Sequence, residues 1–278
     1  MPASRIYFLT ALALVAFAGN SILCRLALGA QRIDPLSFTT LRLASGAFVL
    51  ATLCSLRDRR VTAGGGDWRS AGALFLYALP FSMAYTRLQT GTGALILFAA
   101  VQVTMLAAAL REGERFVPAQ WVGMLAAAAG LLYLLAPGGA PPSWAGALTM
   151  GVAGVAWGWY TLLGRGAGEP LSRTAGNFIR ATPLMAVVML AGWGRAEVTP
   201  AGAGWAIASG ALTSGIGYAI WYAALPGLKT SSAAAVQLAV PALAAAGGIL
   251  LLGEPLTLRF VVASALTLGG IALVLRLR

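Results

Sequence analysis

The chain has no histidine, two cysteines and eight acidic residues among 278, and charged residues of both signs make up 10% of it. Each shortage excludes something. The acids are Asp34, Asp58, Asp67, Glu112, Glu114, Glu169, Glu197 and Glu254, and all fall in loops or at the ends of apolar runs. With no histidine and no acid inside a run, nothing sets a nucleophile beside a base or carries metal-ligand spacing. The expectation is no enzyme, no catalytic residue, no metal and no cofactor. A proton relay across a membrane and a site for cationic drugs both call for a buried acid or histidine, and both are disfavoured. Cys24 and Cys54 lie near opposite ends of the first two runs, too far apart for a disulfide, and read as small apolar fillers. A soluble domain of this length would need charge near a quarter of its residues to cover its core.

What the chain has instead is apolar length. Hydrophobic residues make up 59% of it, and the mean hydropathy is +0.82, the composition of a polytopic membrane protein. The net charge of +11 builds no continuous basic face, so nucleic acid is not an expected partner; the basic residues sit in short loops. Turn signals divide the chain into ten candidate spans: 4–24, 35–56, 70–88, 92–110, 117–136, 143–163, 173–193, 203–225, 230–251 and 257–275. The first is too long for a signal peptide and is followed by nine more, so it reads as a retained helix. With the N-terminus inside, twelve basic residues fall on the cytoplasmic side, among them Arg57, Arg59, Arg60 and Arg69. Five, Arg25, Arg32, Arg87, Arg195 and Arg259, fall on the other. That bias puts both termini in the cytoplasm.

The chain is also one half written twice. Val15–Arg25 (VAFAGNSILCR) is echoed by Val155–Arg165 (VAWGWYTLLGR), and Gly113-Glu114 by Gly253-Glu254, both at a spacing of 140. Leu41-Arg42 is echoed by Ile179-Arg180, and the run from Trp68 through Phe81 and Tyr85 by Trp205 through Tyr218 and Tyr222. The expected fold is an all-α membrane protein of ten transmembrane helices. Repeat one covers 1–136, a Pro/Gly-rich linker 137–142, and repeat two 143–278. Five spans per half is odd, so the halves insert with opposite orientation, with a site near the midplane where they meet.

These residues resemble the drug/metabolite transporter superfamily and its EamA-type carriers. The likeness rests on Ala156-Trp157-Gly158, Arg42, Arg180, Tyr218 with Trp221-Tyr222-Ala223-Ala224-Leu225, Pro241, and the two Gly-Glu pairs. Gly217-Tyr218-Ala219 with Trp221 is similar to the aromatic amino-acid exporter branch. The sequence departs from that pattern at Phe17, where the family has tryptophan, and at Val101, opposite Pro241. The resemblance implies an exporter of small metabolites, amino acids foremost, in a bacterial inner membrane; the inverted repeat and the lack of an acid inside any run add the expectation of alternating access without an obligatory ion gradient. A multidrug or nucleotide-sugar carrier of the same superfamily is the alternative. Partners are a small-molecule substrate and the lipid bilayer; monomer or homo-oligomer is left open.

Buried amides and clustered aromatics mark the candidate site. Asn20, Gln102 and Gln237 are polar side chains inside runs, where they either line a wet cavity or hold helices together. Tyr77, Phe81 and Tyr85 recur every four residues and share one helix face. Phe98 shares a face with Gln102, and Trp157, Tyr160, Tyr218 and Trp221 complete a substrate-binding set. Trp68, Trp121, Trp144, Trp193 and Trp205 lie near span ends and suit the interfacial belt. Arg42 and Arg180 either grip a substrate carboxylate or fasten the repeats, and their recurrence in both halves favours fastening. Glu114 and Glu254 suit the first turns of the fifth and tenth helices. Pro80, Gly215, Gly217 and Pro241 are candidate hinges.

Overall fold

The structure, a computed structural model, describes residues 3–58, 65–113, 116–137, 141–164, 169–192, 196–224, 228 and 236–276. Helix α1 spans Ala3–Cys24 and continues through a π turn, Arg25–Gly29. It is followed by α2 (Pro35–Asp58), α3 (Trp68–Tyr85), α4 (Thr90–Arg111) and α5 (Pro118–Leu135). After the linker come α6 (Trp144–Leu163) and α7 (Pro170–Ala191). Helix α8 is one rod of three segments: Pro200–Ala208, a π-helical Ser209–Ile216, and Gly217–Ala224. Helices α9 (Ala239–Leu252) and α10 (Leu258–Arg276) end the chain. Among the described residues there is no strand, and one antiparallel bridge joins Ile33 to Val198. Six of the helices are long and apolar enough to cross a membrane.

Local chemistry sets where these helices begin. The carboxylate of Asp34 accepts from the Leu36 and Ser37 amides, just before Pro35 opens α2. Asp67 accepts from Ser70 at the start of α3, Glu169 from Ser172 at α7, and Thr199 from Gly202 at α8. Each side-chain oxygen satisfies an amide that the first turn leaves orphaned. Prolines open α2, α5, α7 and α8, where a missing N–H costs nothing.

The packing repeats the sequence duplication. Helix α1 packs on α8 and α9, and α6 packs on α3 and α4. Helix α2 crosses α7, α5 crosses α10, and α4 meets α9; α3 leans on α7 as α8 leans on α2. Exchanging α1–α5 with α6–α10 returns the same pairings. Small residues allow the close crossings: a side chain at Gly210 would strike the Arg42 carbonyl and Ser45, and one at Gly46 would strike Phe178. Gly154 and Gly158 face Ala100 and Thr104 of α4 in the same way.

Polar ties between the halves sit at both ends of α2. Near its start, the Asp34 amide donates to the Glu197 carbonyl at 2.9 Å, and the Thr199 amide to the Arg32 carbonyl at 2.9 Å. At its other end Arg57 pairs with Glu169 at 2.7 Å, and Arg173 with Asp67 at 3.5 Å. Gly66, at φ +78°, lets that loop press against Asn177, whose side-chain oxygen accepts the Asp67 amide at 3.0 Å.

Several expectations need correction. Of the ninth run, expected over 230–251, residues 230–235 lie outside the described set; residues 236–237 are helical, and after a turn at Leu238 helix α9 runs on from Ala239. Pro241 sits in the first turn of α9, three residues after the turn at Leu238. Glu254 does not open α10. Its carboxylate accepts from the Thr90 amide at 2.8 and 3.1 Å and pairs with Arg25 at 3.1 Å, so it caps α4 in the other repeat. Trp205 is partly buried against the core rather than placed in an outer belt, while Trp68, Trp121 and Trp144 are exposed. Trp193, Glu114, Arg165 and Lys229 lie outside the described residues.

Candidate functional site

Polar and aromatic residues from five helices turn inward at one place. Phe17, Asn20 and Ser21 come from α1; Tyr77 and Phe81 from α3; Leu97 and Phe98 from α4; Trp157 from α6; Thr213, Ser214 and Tyr218 from α8; and Gln237 from the helical residues just before α9. Together they wall a cavity between the two halves. Its free volume is about 30 Å³, room for little more than water and far below the roughly 300–1,000 Å³ of an occupied small-molecule site. The walls are therefore closed on each other.

Aromatic rings make most of the wall. Trp157 packs on Tyr77 with centroids 4.8 Å apart and on Tyr218 at 5.3 Å. Tyr77 meets Phe81 at 5.3 Å, and Phe17 meets Tyr218 edge-on at 5.8 Å. Such tilted and edge-to-face pairs follow from the ring quadrupole.

One corner is polar. Asn20 accepts through Oδ1 from the Ser209 hydroxyl at 2.7 Å, with Thr213 Oγ1 at 3.2 Å from the same oxygen. Its amide nitrogen lies 3.5 Å from the Tyr77 hydroxyl. Arg42 donates through Nη2 to that hydroxyl at 3.0 Å and through Nε to Ser214 Oγ at 3.2 Å. Its guanidinium carbon lies 5.2 Å and 5.1 Å from the centroids of the Tyr77 and Phe81 rings. Arg42 is 2% exposed, and its Nη1 has no hydrogen-bond partner.

The arginines therefore differ. Arg180 donates through Nη1 to the Gly65 carbonyl at 2.6 Å and the Gly176 carbonyl at 3.0 Å, fastening α7 to the loop before α3. Counted from the prolines that open their helices, Arg42 is the eighth residue of α2, whereas Arg180 is the eleventh of α7 and Asn177 the eighth. The apparent recurrence of arginine in both repeats is thus offset by three residues when the helices are aligned at their caps. Arg180 bonds backbone carbonyls, whereas Arg42 bonds two side-chain hydroxyls, Tyr77 in its own repeat and Ser214 in the other.

Of the residues expected at the site, Asn20, Tyr77, Phe81, Phe98, Trp157, Tyr218 and Gln237 line the cavity. Four do not. Tyr85 lies one turn beyond Phe81 and donates to the Thr90 carbonyl at 3.3 Å. Gln102 is buried one turn beyond Phe98, a rise of about 5.4 Å that carries it off the wall. Tyr160 stacks on Trp157 and accepts from Asn177 Nδ2 at 3.2 Å. Trp221 packs behind Phe17 and against Ala13. Tyr222 has its side chain outside the described set. Missed by the sequence reading were Phe17, Ser21, Leu97, Thr213, Ser214 and the Asn20 partner Ser209. The signal for Phe17 and Ser214 was present in their alignment with Trp157 and Tyr77. Nothing signalled the π segment, which shifts the helical phase between Ser209 and Ile216. Of the hinge candidates, Pro80 is inside α3, Gly215 packs on Val49 and Gly217 on Ala16.

An all-helical chain with several membrane-long apolar helices, two matching sets of packing contacts and a polar-aromatic cavity at their junction is built as a multi-pass membrane carrier. The chain belongs to the EamA-like transporter family, which matches residues 4–136 and again residues 144–276. It is 55% identical over 275 residues to the uncharacterized protein PA1977 of Pseudomonas aeruginosa, covering 99% of this chain and 96% of that one. A crystal structure at 22% identity shares the fold with a TM-score of 0.68, over 96% of this chain and 98% of the other.

Proposed function

We propose that this transporter exports amino acids of apolar or aromatic character across a bacterial inner membrane by alternating access, without an obligatory ion gradient. The single observation that carries the reading is the convergence of α1, α3, α4, α6, α8 and Gln237 on one cavity between the halves. Rings suit an apolar side chain, while a polar corner at Asn20, Tyr77 and Ser214 and an amide at Gln237 suit a substrate's polar head. Among the described residues each acid sits at a helix end or in a loop and none reaches the cavity wall, in keeping with a centre that carries no proton relay.

The proposed architecture is ten spans in two five-helix repeats, 1–136 and 143–278 around the linker 137–142, inserted in opposite senses with both termini cytoplasmic. Arg57, Glu169, Asp67 and Arg173 then tie the cytoplasmic ends, and Arg25 and Glu254 the opposite ends. Rocking of one repeat against the other opens the cavity to each side in turn, with Pro80, Gly215, Gly217 and Pro241 as the bending points.

Counterflow tests the proposal. Proteoliposomes preloaded with unlabelled L-phenylalanine or L-leucine should accumulate the labelled amino acid with no imposed gradient, and protein-free vesicles should not. Uptake that appears only with a proton gradient removes the uncoupled part; no uptake of any amino acid removes the substrate class.

A further inference from the structure

We infer that Arg42 makes the polar corner of the cavity a receptor for a carboxylate, so that the transported species carries a negatively charged head. The inference deepens the reading of the central cavity as a substrate site and rests on it.

The argument is one of unmatched charge and unmatched donors. Arg42 is the only fully buried charged side chain among the described residues. It lies about 10.5 Å along α2 from its first residue, well inside the apolar layer. Its bonds go to two hydroxyls, Tyr77 and Ser214, and among the described residues no carboxylate pairs with it. A lone guanidinium there is expensive; the Tyr77 and Phe81 rings offset part of the cost, and an anion would offset more. Arg180 shows the alternative: an arginine that serves as a fastener takes backbone carbonyls. Arg42 takes none, and its Nη1 stays empty.

The hydrogen bonds around it all run the same way. Tyr77 Oη and Ser214 Oγ each accept from Arg42, so each keeps its own proton to give away. The Asn20 oxygen is occupied by Ser209, and its amide is directed at Tyr77. What remains unspent at this corner is therefore donors: the Tyr77 and Ser214 hydroxyls, an Asn20 N–H and Arg42 Nη1. Tyr77, Ser214 and Asn20 line the cavity. A carboxylate supplies the acceptors that set lacks, and a guanidinium behind two hydroxyls strengthens both bonds to it. An ammonium would meet donors with donors, and a neutral amide would bring one acceptor oxygen without the negative charge. The ring wall opposite then receives the rest of the substrate.

Matched acids and amides test the inference on the purified, full-length carrier in detergent. L-phenylalanine is compared with L-phenylalaninamide, and phenylacetate with phenylacetamide, by ligand-induced thermal shift on wild type, Arg42→Gln and Arg42→Lys. Wild type should bind each acid about tenfold or more tightly than its amide. Arg42→Gln should erase that preference while still binding the amides, and Arg42→Lys should keep part of it, since the charge survives and the fork does not. Equal binding of acid and amide by wild type overturns the inference, as does a full preference in Arg42→Gln or binding of neither acid. Should Arg42→Gln fail to fold, the wild-type pairs and Arg42→Lys decide. The outcomes separate this inference from the broader reading. Counterflow of phenylalanine with no acid preference leaves the carrier and removes the carboxylate receptor. Selective binding of phenylacetate without amino-acid flux leaves the receptor and removes the amino acid.

Discussion

Asn20 and Arg42 hold the polar corner together, and they do so for opposite reasons. Asn20 is satisfied: its oxygen takes the Ser209 hydroxyl at 2.7 Å, which stitches α1 to the π segment of α8. Replacing Asn20 by Leu leaves the Ser209 hydroxyl without its acceptor in a buried place. The expected cost is about 1–2 kcal/mol of stability, between the penalty for an orphaned buried donor and the smaller values seen between membrane helices. Denaturation of wild type and Asn20→Leu in the same detergent checks it, and Asn20→Asp, which keeps an oxygen to accept from Ser209, should recover part of the loss. Unchanged stability would place the Ser209 contact outside the folded state's balance. The amide itself was legible in the sequence, because a polar side chain inside an apolar run needs a reason. Gln102 looked alike and ended off the wall, since one further helical turn is enough to miss so small a cavity. Arg42 was visible as a residue, but its two hydroxyl partners, one of them in the other repeat, were not. Aligning it with Arg180 hid the three-residue offset that only the caps at Asp34 and Glu169 reveal.

The helix ends carry a separate, pH-sensitive contribution. Burial opposes ionisation of Asp67, but the Ser70 amide and hydroxyl, the Arg69 amide and the Arg173 charge outweigh it and hold the carboxyl below its usual value. Glu169 behaves likewise: burial raises it, and the Ser172 amide, Arg57 and the Leu171 amide lower it further than burial lifts it. A carboxyl whose folded pKa is depressed adds stability above its ordinary value, near 4. That stability is lost as pH falls through the lowered folded value. The double variant Asp67→Asn, Glu169→Gln should therefore be less stable than wild type at pH 7, with the gap shrinking as pH drops from about 5 toward 3. A gap that stays constant over that range would mean the caps act through shape alone. The elements themselves were legible because apolar length and proline-opened caps are local signals. The π segments at Arg25–Gly29 and Ser209–Ile216 were not, since a shift in helical phase depends on what packs beside it: Gly210 against Arg42, Gly215 against Val49.

At the scale of the whole molecule, the duplicated sequence and the duplicated contacts describe the same object. Helices α2 and α7, α4 and α9, and α5 and α10 each meet their own counterpart, so the junction between repeats runs through the centre of the bundle. The cavity lies on that junction and is nearly closed, while Glu254 ties α1 and α4 to the connection before α10. Duplication could be read from Val15–Arg25 and Val155–Arg165 because the spacing is conserved within the chain. Glu254 reaching across to cap α4 could not, because no local pattern says which helix a loop carboxylate will find.

The central claim is that this one cavity is visited from both sides of the membrane by the substrate. Leu97, buried in its wall, offers the most direct test. A single cysteine is placed by Leu97→Cys in a chain carrying Cys24→Ala and Cys54→Ala, reconstituted in vesicles. The account predicts labelling by a membrane-impermeant maleimide added to either face, slowed on both by saturating L-phenylalanine. Labelling from one face only, or labelling that L-phenylalanine leaves unchanged, would contradict it.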